Sequence, residues 1–272
     1  MQNPSSARLI KMIVRPEVAV RALFKKFSIG SFGLRVAIDA FDRPWFAQGV
    51  LQAAEMAARL RIPAIAIAEF GVAHGDGLVA LEQIAREVEQ ETKVGIQIYG
   101  FDTGEGMPEE TGYRDLPYIW RKSMYKMDVA SVERRLTSRS KLVLGNVRDT
   151  VPLWLKSQAA PLGFISFDMD FYSSTVDALQ IFEGPDERFL PRVLCYFDDI
   201  HSASMQYHCK DVGELAAIED FNSAPNRNHR IRPINGFKRG LLWEPEWADS
   251  MLMYHRFDHA RYNDYVGGGT AG

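Results

Sequence analysis

An α/β fold is predicted for this chain: a doubly wound, mostly parallel sheet of about seven strands with helices on both faces. Three observations predict it. Short apolar runs of strand length alternate with longer segments of helical periodicity, the pattern of βαβ units. Each of these runs ends in acids or glycines, as strands do where an open α/β sheet presents its ligand-binding edge. The composition, 46% hydrophobic and 25% charged over 272 residues, is enough for one sizeable core.

The elements follow in chain order. Positions 1–40 form a basic N-terminal arm, with Arg8, Lys11, Arg15, Arg21, Lys25, Lys26 and Arg35 against the single acid Glu17 in its first 35 residues. Pro16 is placed to open a short helix whose Val18, Leu23, Phe24 and Phe27 would face a partner surface, a twin subunit or the chain's own domain. The main domain, 41–262, begins with a helix from Pro44 to Leu60, striped by Trp45, Val50, Leu51, Ala54, Ala57 and Ala58 and stopped by Pro63. Ala64–Ala68 reads as a buried strand and Leu78–Val88 as a helix. Further strands are expected at Val94–Phe101, Lys141–Leu144, Leu162–Phe167 and Val193–Phe197. Helices are expected around Val129–Leu136, Val151–Leu155, Thr175–Phe182 and Val212–Phe221. Gly240–Trp243 and Met251–Phe257 look strand-like. The glycine-rich stretch 263–272 reads as a disordered tail.

Charge and cysteine content exclude several classes. The formal net charge of −3, from 32 basic and 35 acidic side chains, lacks the basic excess of a nucleic-acid binder. Cys195 and Cys209 cannot build a disulfide framework. No apolar run reaches the length of a membrane span, and no signal peptide is evident. The expectation is a soluble, cytoplasmic protein with neither membrane nor nucleic-acid partner.

The strand ends carry the chemistry. The first strand runs into Glu69-Phe70-Gly71-Val72-Ala73-His74-Gly75-Asp76-Gly77, a glycine turn before a helix. It is neither a phosphate-binding P-loop nor a GxGxxG dinucleotide turn. Glu69 there would repel a pyrophosphate but suit an α-ammonium or a sulfonium. Asp102, ending the second strand, is placed to accept from both hydroxyls of a ribose. A cationic nucleoside without phosphate fits: S-adenosylmethionine. The remaining strands end in Gly145-Asn146-Val147, in Asp168-Met169-Asp170 and in Asp198-Asp199. The fourth and fifth strands should be neighbours about 4.8 Å apart, so their terminal carboxylates can share one ion. An all-oxygen set favours Mg²⁺ or another hard divalent cation.

These motifs resemble the macrocin O-methyltransferase type of class I S-adenosylmethionine-dependent methyltransferases, which have a Rossmann-like fold. The matching pieces are Glu69-x-Gly71-Val72-x-x-Gly75, Asp102 with Glu105-Gly106-Met107-Pro108, and Gly145 with Asp149-Thr150-Val151-Pro152. They continue in Asp168-x-Asp170-x-Tyr172-x-Ser174-Thr175-x-Asp177-Ala178-Leu179 and in Asp198-Asp199. The resemblance spans about 64–222. It implies Asp168, Asp198 and Asp199 as magnesium ligands and Asp170 as the base. Met169 stands where the family often has glycine, and the segment from Thr103 to Tyr125 is longer than the family's.

The expected cofactor contacts are Glu69, Gly71, Gly75, Gly77, Asp102, Thr103, Asn146, Val147 and Asp168. Asp170 remains open between two roles: on a continuing strand it shares a face with Asp168 and both ligate the ion, whereas a strand ending at Asp168 frees it to act as base. His74 and His201 lie on the same edge. His255 and His259 have the i,i+4 spacing of a zinc pair but follow a strand-like run, and Cys195 reads as a core residue. Trp45, Tyr113, Tyr118 and Trp120 are candidates for an apolar lid. The resulting expectation is metal-assisted O-methylation of a small hydroxylated acceptor such as a sugar or phenol. A metal-dependent hydrolase or hydroxylase on the same carboxylates, or a non-catalytic cofactor-binding scaffold, are the alternatives.

Overall fold

The computed structural model describes residues 16–157, 160–201, 205–225 and 228–267. Seven strands form one sheet in the order β3-β2-β1-β4-β5-β7-β6. They are β1 (Ala64–Phe70), β2 (Gly95–Asp102), β3 (Ser140–Leu144), β4 (Leu162–Phe167), β5 (Phe189–Phe197), β6 (His229–Pro233) and β7 (Met251–Arg256). Strands β1 to β5 pair in parallel, while β7 runs antiparallel to both β5 and β6. The helices are α1 (Pro16–Phe27), α2 (Phe32–Ala37), α3 (Pro44–Arg59), α4 (Asp76–Thr92), α5 (Val129–Arg135), α6 (Val147–Ser157), α7 (Tyr172–Leu179) and α8 (Gly213–Ser223). No helix among the described residues is long and apolar enough to cross a membrane.

Strand alternation divides the core. Ile65 and Ile67 of β1 pack on one face with α3 and α4, whereas Ala66, Ala68 and Phe70 pack on the other with α6, α7 and α8. With both faces covered, the central strands read as continuous apolar runs. At their C-terminal ends Phe101, Phe70, Phe167 and Phe197 stack across four adjacent strands, with successive ring centroids 4.6, 5.3 and 4.5 Å apart. The register pairs Phe70 with both Phe101 and Phe167, and Phe167 with Phe197. This ladder levels the strand ends, so Gly71, Asp102, Asp168 and Asp198 follow it along one edge.

The observed elements depart from expectation in a few places. Gly240–Trp243 is no strand: a 3₁₀ turn over Phe237–Gly240 and bends occupy it. The missing edge strand is β6, His-Arg-Ile-Arg-Pro, in which only Ile231 is buried. Its polarity hides it from periodicity. Asn222 of α8 compensates for its open side, giving its side-chain amide to the Ile231 carbonyl (2.9 Å) and accepting the Ile231 N–H (2.8 Å).

The arm's first 15 positions lie outside the described residues. Its helix forms as α1, held by Arg21–Asp39 and Lys25–Asp42 ion pairs. Leu23 and Phe27 are exposed, while Val18 and Phe24 are half-buried. In the expected tail, Asp264 pairs with Arg261, and the Val266 carbonyl accepts from Arg59 (2.8 Å). Val266 also packs against the core, so this part of the stretch is held by the domain; 268–272 lie outside the described residues.

Candidate functional site

The edge beyond the phenylalanine ladder is where polar groups converge. At the end of β1 the chain must turn sharply into α4, and the glycines make that turn possible. Gly71 has φ +85°, and a Cβ there would stand 1.9 Å from the Asp168 carbonyl oxygen. Only glycine lets the exits of β1 and β4 pass this closely. Gly77, in the first turn of α4, leaves room for Glu69, whose Oε1 would lie 1.7 Å from a Cβ at that position. Gly75, at φ +83°, closes the turn through its N–H to the Val72 carbonyl (2.9 Å).

Glu69 is buried beneath this turn, and its Oε2 has no hydrogen-bond partner. Burial pushes its carboxyl up to about 8, opposed by Arg43 and reinforced by Asp168, Asp102 and Asp76. An unpaired buried carboxylate is costly, so this group is poised either to hold a proton or to receive a cation.

Asp102 organises the turn from β2. One carboxylate oxygen accepts the N–H groups of Val72 (2.9 Å) and Ala73 (3.0 Å), and the other accepts that of Gly104 (2.7 Å). Thr103 folds the next turn, donating to the Gly106 carbonyl (2.9 Å). Asn146, after β3, caps the start of α6 by accepting the Arg148 N–H (2.9 Å), and Val147 beside it is buried. The expected cofactor residues of β1, β2 and β3 therefore stand together, several of them engaged in shaping the loops.

The exits of β4 and β5 bring three carboxylates together. Asp168, Asp170 and Asp199 each offer one oxygen within 4.8 Å of the other two. Strand β4 ends at Phe167, before Asp168. Asp170 nevertheless stays with the group because its backbone turns left-handed, at φ +57°. Its N–H donates to Asp199 Oδ2 (3.1 Å). Asp198 is exposed outside this trio and accepts the Tyr196 hydroxyl (2.8 Å). The expected metal set was Asp168, Asp198 and Asp199; the grouping seen in the structure has Asp170 in place of Asp198.

Burial, reinforced by their mutual repulsion, raises the proton affinity of all three. Asp168 and Asp199 rise well above the ordinary carboxylate range, and Asp170 rises to about 7, chiefly by burial and then by the charge of Asp168. A cation removes both penalties, and three carboxylate oxygens without nitrogen or sulfur suit a hard divalent ion. The donor chemistry fits magnesium, and the orphaned Glu69 oxygen fits a cationic ligand on the other side of the Gly71–Asp168 contact.

Sequence reasoning passed over several residues of this site. Glu214, fully buried in the first turn of α8, accepts the N–H groups of Met169 (3.2 Å) and Asp199 (3.1 Å). It ties the β4 and β5 exits together and so sets the carboxylate spacing. Asp115, also fully buried, accepts from Thr111 N (2.7 Å) and Oγ1 (2.7 Å) and from Ser173 N (2.8 Å) and Oγ (3.0 Å). It pins the long segment after β2 to the start of α7.

Within that segment Trp120 packs with Met107, Leu116 and Phe171, so it is core of the cover. Tyr113 and Tyr118 are exposed, although the Tyr118 hydroxyl donates to the Gln206 carbonyl (2.6 Å). Tyr125, at φ +60°, faces the aspartates: burial, then the charges of Asp170, Asp199 and Asp168, raises its phenol. A lone acid among apolar neighbours at a helix start was the available signal for Glu214; Asp115 and Tyr125 had none.

The remaining candidates separate from the site. His74 and His201 are exposed on the edge. His255 Nδ1 meets the Tyr262 hydroxyl (2.7 Å), whereas His259 Nε2 meets the Asp186 carbonyl (3.1 Å), so their spacing does not make a zinc pair. Cys195 is buried in β5, and Trp45 stacks on Tyr196 with ring centroids 5.0 Å apart.

No family profile matches the chain, and no curated protein matches it either. Solved structures do. A crystal structure of a calicheamicin methyltransferase aligns with a TM-score of 0.50 at 19% identity, covering 95% of each chain. A ligand-free structure described as a TDP-rhamnose 3′-O-methyltransferase of calicheamicin biosynthesis aligns with a TM-score of 0.44 at 20% identity, over 95% of this chain and 97% of the other. A methyltransferase of mycinamycin biosynthesis, in complex with Mg, SAH and mycinamycin VI, gives a TM-score of 0.39 at 14% identity, over 80% of this chain and 51% of the other. What the first of these likenesses establishes is the fold, which this chain shares with a methyltransferase over nearly its whole length.

Proposed function

We propose that this chain is an S-adenosylmethionine-dependent O-methyltransferase acting, with a divalent cation, on a hydroxyl of a small sugar- or phenol-like acceptor. The observation that carries the reading is Glu69: a buried carboxylate with an unpartnered oxygen under a glycine turn, beside a separate all-oxygen trio. A hydrolase working on the trio alone would leave that acid without a purpose, and a scaffold would have no use for three clustered, mutually repelling aspartates. The fold shared with a calicheamicin methyltransferase agrees.

The cofactor supplies a methyl group on a sulfonium, and a divalent ion when bound supplies the charge that acidifies an acceptor hydroxyl. The residues of the chain do the rest. Glu69 takes the ammonium of the amino-acid end. Asp102 retains lone-pair capacity beyond its three backbone donors and takes the ribose, with Gly71, Gly75, Gly77, Thr103, Asn146 and Val147 around the nucleoside. Asp168 stands between the two halves. Asp199 and Asp168 hold the cation, Asp198 orients Tyr196, and Tyr125 forms the wall on the acceptor side. Asp170 takes the acceptor's proton at its carboxylate. Bound S-adenosylmethionine would supply the methyl carbon to the acceptor oxygen, with S-adenosylhomocysteine as the leaving group. Holding the two atoms near contact in a water-poor pocket is the main contribution of the fold.

The test is transfer of label from methyl-labelled S-adenosylmethionine to a panel of hydroxylated sugars and phenols, with and without EDTA. The expected result is labelled ether and S-adenosylhomocysteine, stopped by EDTA while calorimetric binding of S-adenosylhomocysteine persists. A protein that does not bind S-adenosylhomocysteine is not this enzyme.

A further inference from the structure

Arg43 lies outside the motif-bearing stretch and has no role in the account above. It immediately precedes α3, and α3 runs antiparallel to the strands. Trp45, in the first turn of α3, stacks on Tyr196 near the C-terminal end of β5 (5.0 Å, 11°), whereas Ala53 lies against Gly163 at the start of β4. Arg43 is therefore held over the same sheet edge as Glu69 and Asp168. Its guanidinium rests 5.4 Å from the centre of the Phe46 ring, a contact that restrains it without using its hydrogen-bond donors.

The charges around it are lopsided. Glu69, Asp168 and Asp76 all feel the positive charge of Arg43. Yet among the ion pairs of the described residues within 4.0 Å, none involves Arg43. A cation near a buried acid, but not ion-paired with it, is placed to share a ligand that carries both charges: the ligand's positive end meets the acid and its negative end meets the cation. The planar guanidinium is suited to gripping a carboxylate through two parallel N–H bonds.

We propose that Arg43 binds the α-carboxylate of S-adenosylmethionine, so that Arg43 and Glu69 together recognise the zwitterionic amino-acid end of the cofactor. This assignment rests on the cofactor reading above and adds to it a residue from before β1. It makes Arg43 a determinant of specificity for the whole cofactor over nucleosides that lack the amino-acid end.

Calorimetry with two probes tests it: S-adenosylhomocysteine, and 5′-methylthioadenosine, which shares the nucleoside and thioether but has no ammonium or carboxylate. For Arg43→Gln we expect S-adenosylhomocysteine to bind about ten- to a hundredfold more weakly, the range for a lost charge-assisted hydrogen bond. Methylthioadenosine should bind as it does to the wild type, which also shows that the variant is folded. Arg43→Lys, which keeps the charge but loses the fork, should fall between. S-adenosylhomocysteine binding within twofold of wild type in Arg43→Gln overturns the assignment, as does an equal loss for both probes. Absence of S-adenosylhomocysteine binding to the wild type overturns the cofactor reading and this assignment with it.

Discussion

On the proposed function, cofactor affinity should depend steeply on pH, because the group proposed to receive the ammonium, Glu69, is an acid that holds a proton when empty. Burial holds the Glu69 carboxyl at about 8 in the ligand-free chain. Pairing with an ammonium requires the ionised form, so only the ionised fraction is competent to bind, and the apparent affinity scales with that fraction. With a pKa of about 8 the competent fraction is about 1% at pH 6, about 9% at pH 7 and about half at pH 8. S-adenosylhomocysteine should therefore bind about fiftyfold more tightly at pH 8 than at pH 6, releasing close to one proton per ligand on the acid side.

The assay is calorimetry at several pH values in two buffers of different ionisation enthalpy; the difference in observed heat counts the protons. Glu69→Gln, which cannot ionise, should bind weakly and with no pH dependence between 6 and 8. The sign also applies to stability. An acid whose pKa is raised on folding favours the folded state below its unfolded pKa of 4.5, and that contribution fades as pH rises toward about 8. Ligand-free wild type should lose stability across this window, and Glu69→Gln should lose less. Affinity that is flat from pH 6 to 8, with no buffer-dependent heat, would refute the reasoning about Glu69.

Other perturbations probe the rest of the edge. Gly71→Ala combines a left-handed backbone, costing about 1–2 kcal/mol, with a Cβ 1.9 Å from the Asp168 carbonyl oxygen; we expect a loss above about 3 kcal/mol by denaturant unfolding. Gly112→Ala, with nothing within 4 Å of the new Cβ, should stay within about 0.5 kcal/mol. Asp170→Asn should leave S-adenosylhomocysteine affinity within twofold and lower the methyl-transfer rate by about 10²–10⁴, with the deficit persisting at saturating Mg²⁺. Full rescue by Mg²⁺ would reduce Asp170 to a ligand. Asp115→Ala removes the acceptor of four hydrogen bonds; amide exchange over 103–127 should accelerate at least about tenfold while exchange in β1 and β4 is unchanged. Equal acceleration everywhere would show that Asp115 supports the whole fold rather than this segment.

Much of this protein was legible in its sequence. The helix–strand alternation and the apolar character of β1, β4 and β5 follow from burial on both faces of a parallel sheet, and that pressure acts on each residue locally. The placement of Glu69, Asp102, Asp168 and Asp199 at strand exits is equally local, since a strand must end where its apolar run ends. Gly71 and Gly77 could be read as a turn, although the reasons they are glycine, the Asp168 carbonyl and the Glu69 carboxylate, come from other parts of the fold. Strand β6 was hidden because an edge strand with one buried residue, Ile231, carries no apolar period.

The tertiary structure decided which acids meet. Asp198 stood in the expected metal set and Asp170 was open between ligand and base, and no spacing rule separates the two. A left-handed turn at Asp170, anchored by its N–H to Asp199, brings the first in, while Tyr196 holds the second outside. Glu214, 15 residues beyond Asp199 in sequence, sets that geometry by accepting from both loops. Arg43 lies over the strand exits only because α3 begins there and runs back toward the strand starts. Propensity and apolar periodicity act between near neighbours in the chain and are written in its order. Electrostatic and hydrogen-bonded contacts depend on distance in space, so the site was set by the packing of helices on the sheet.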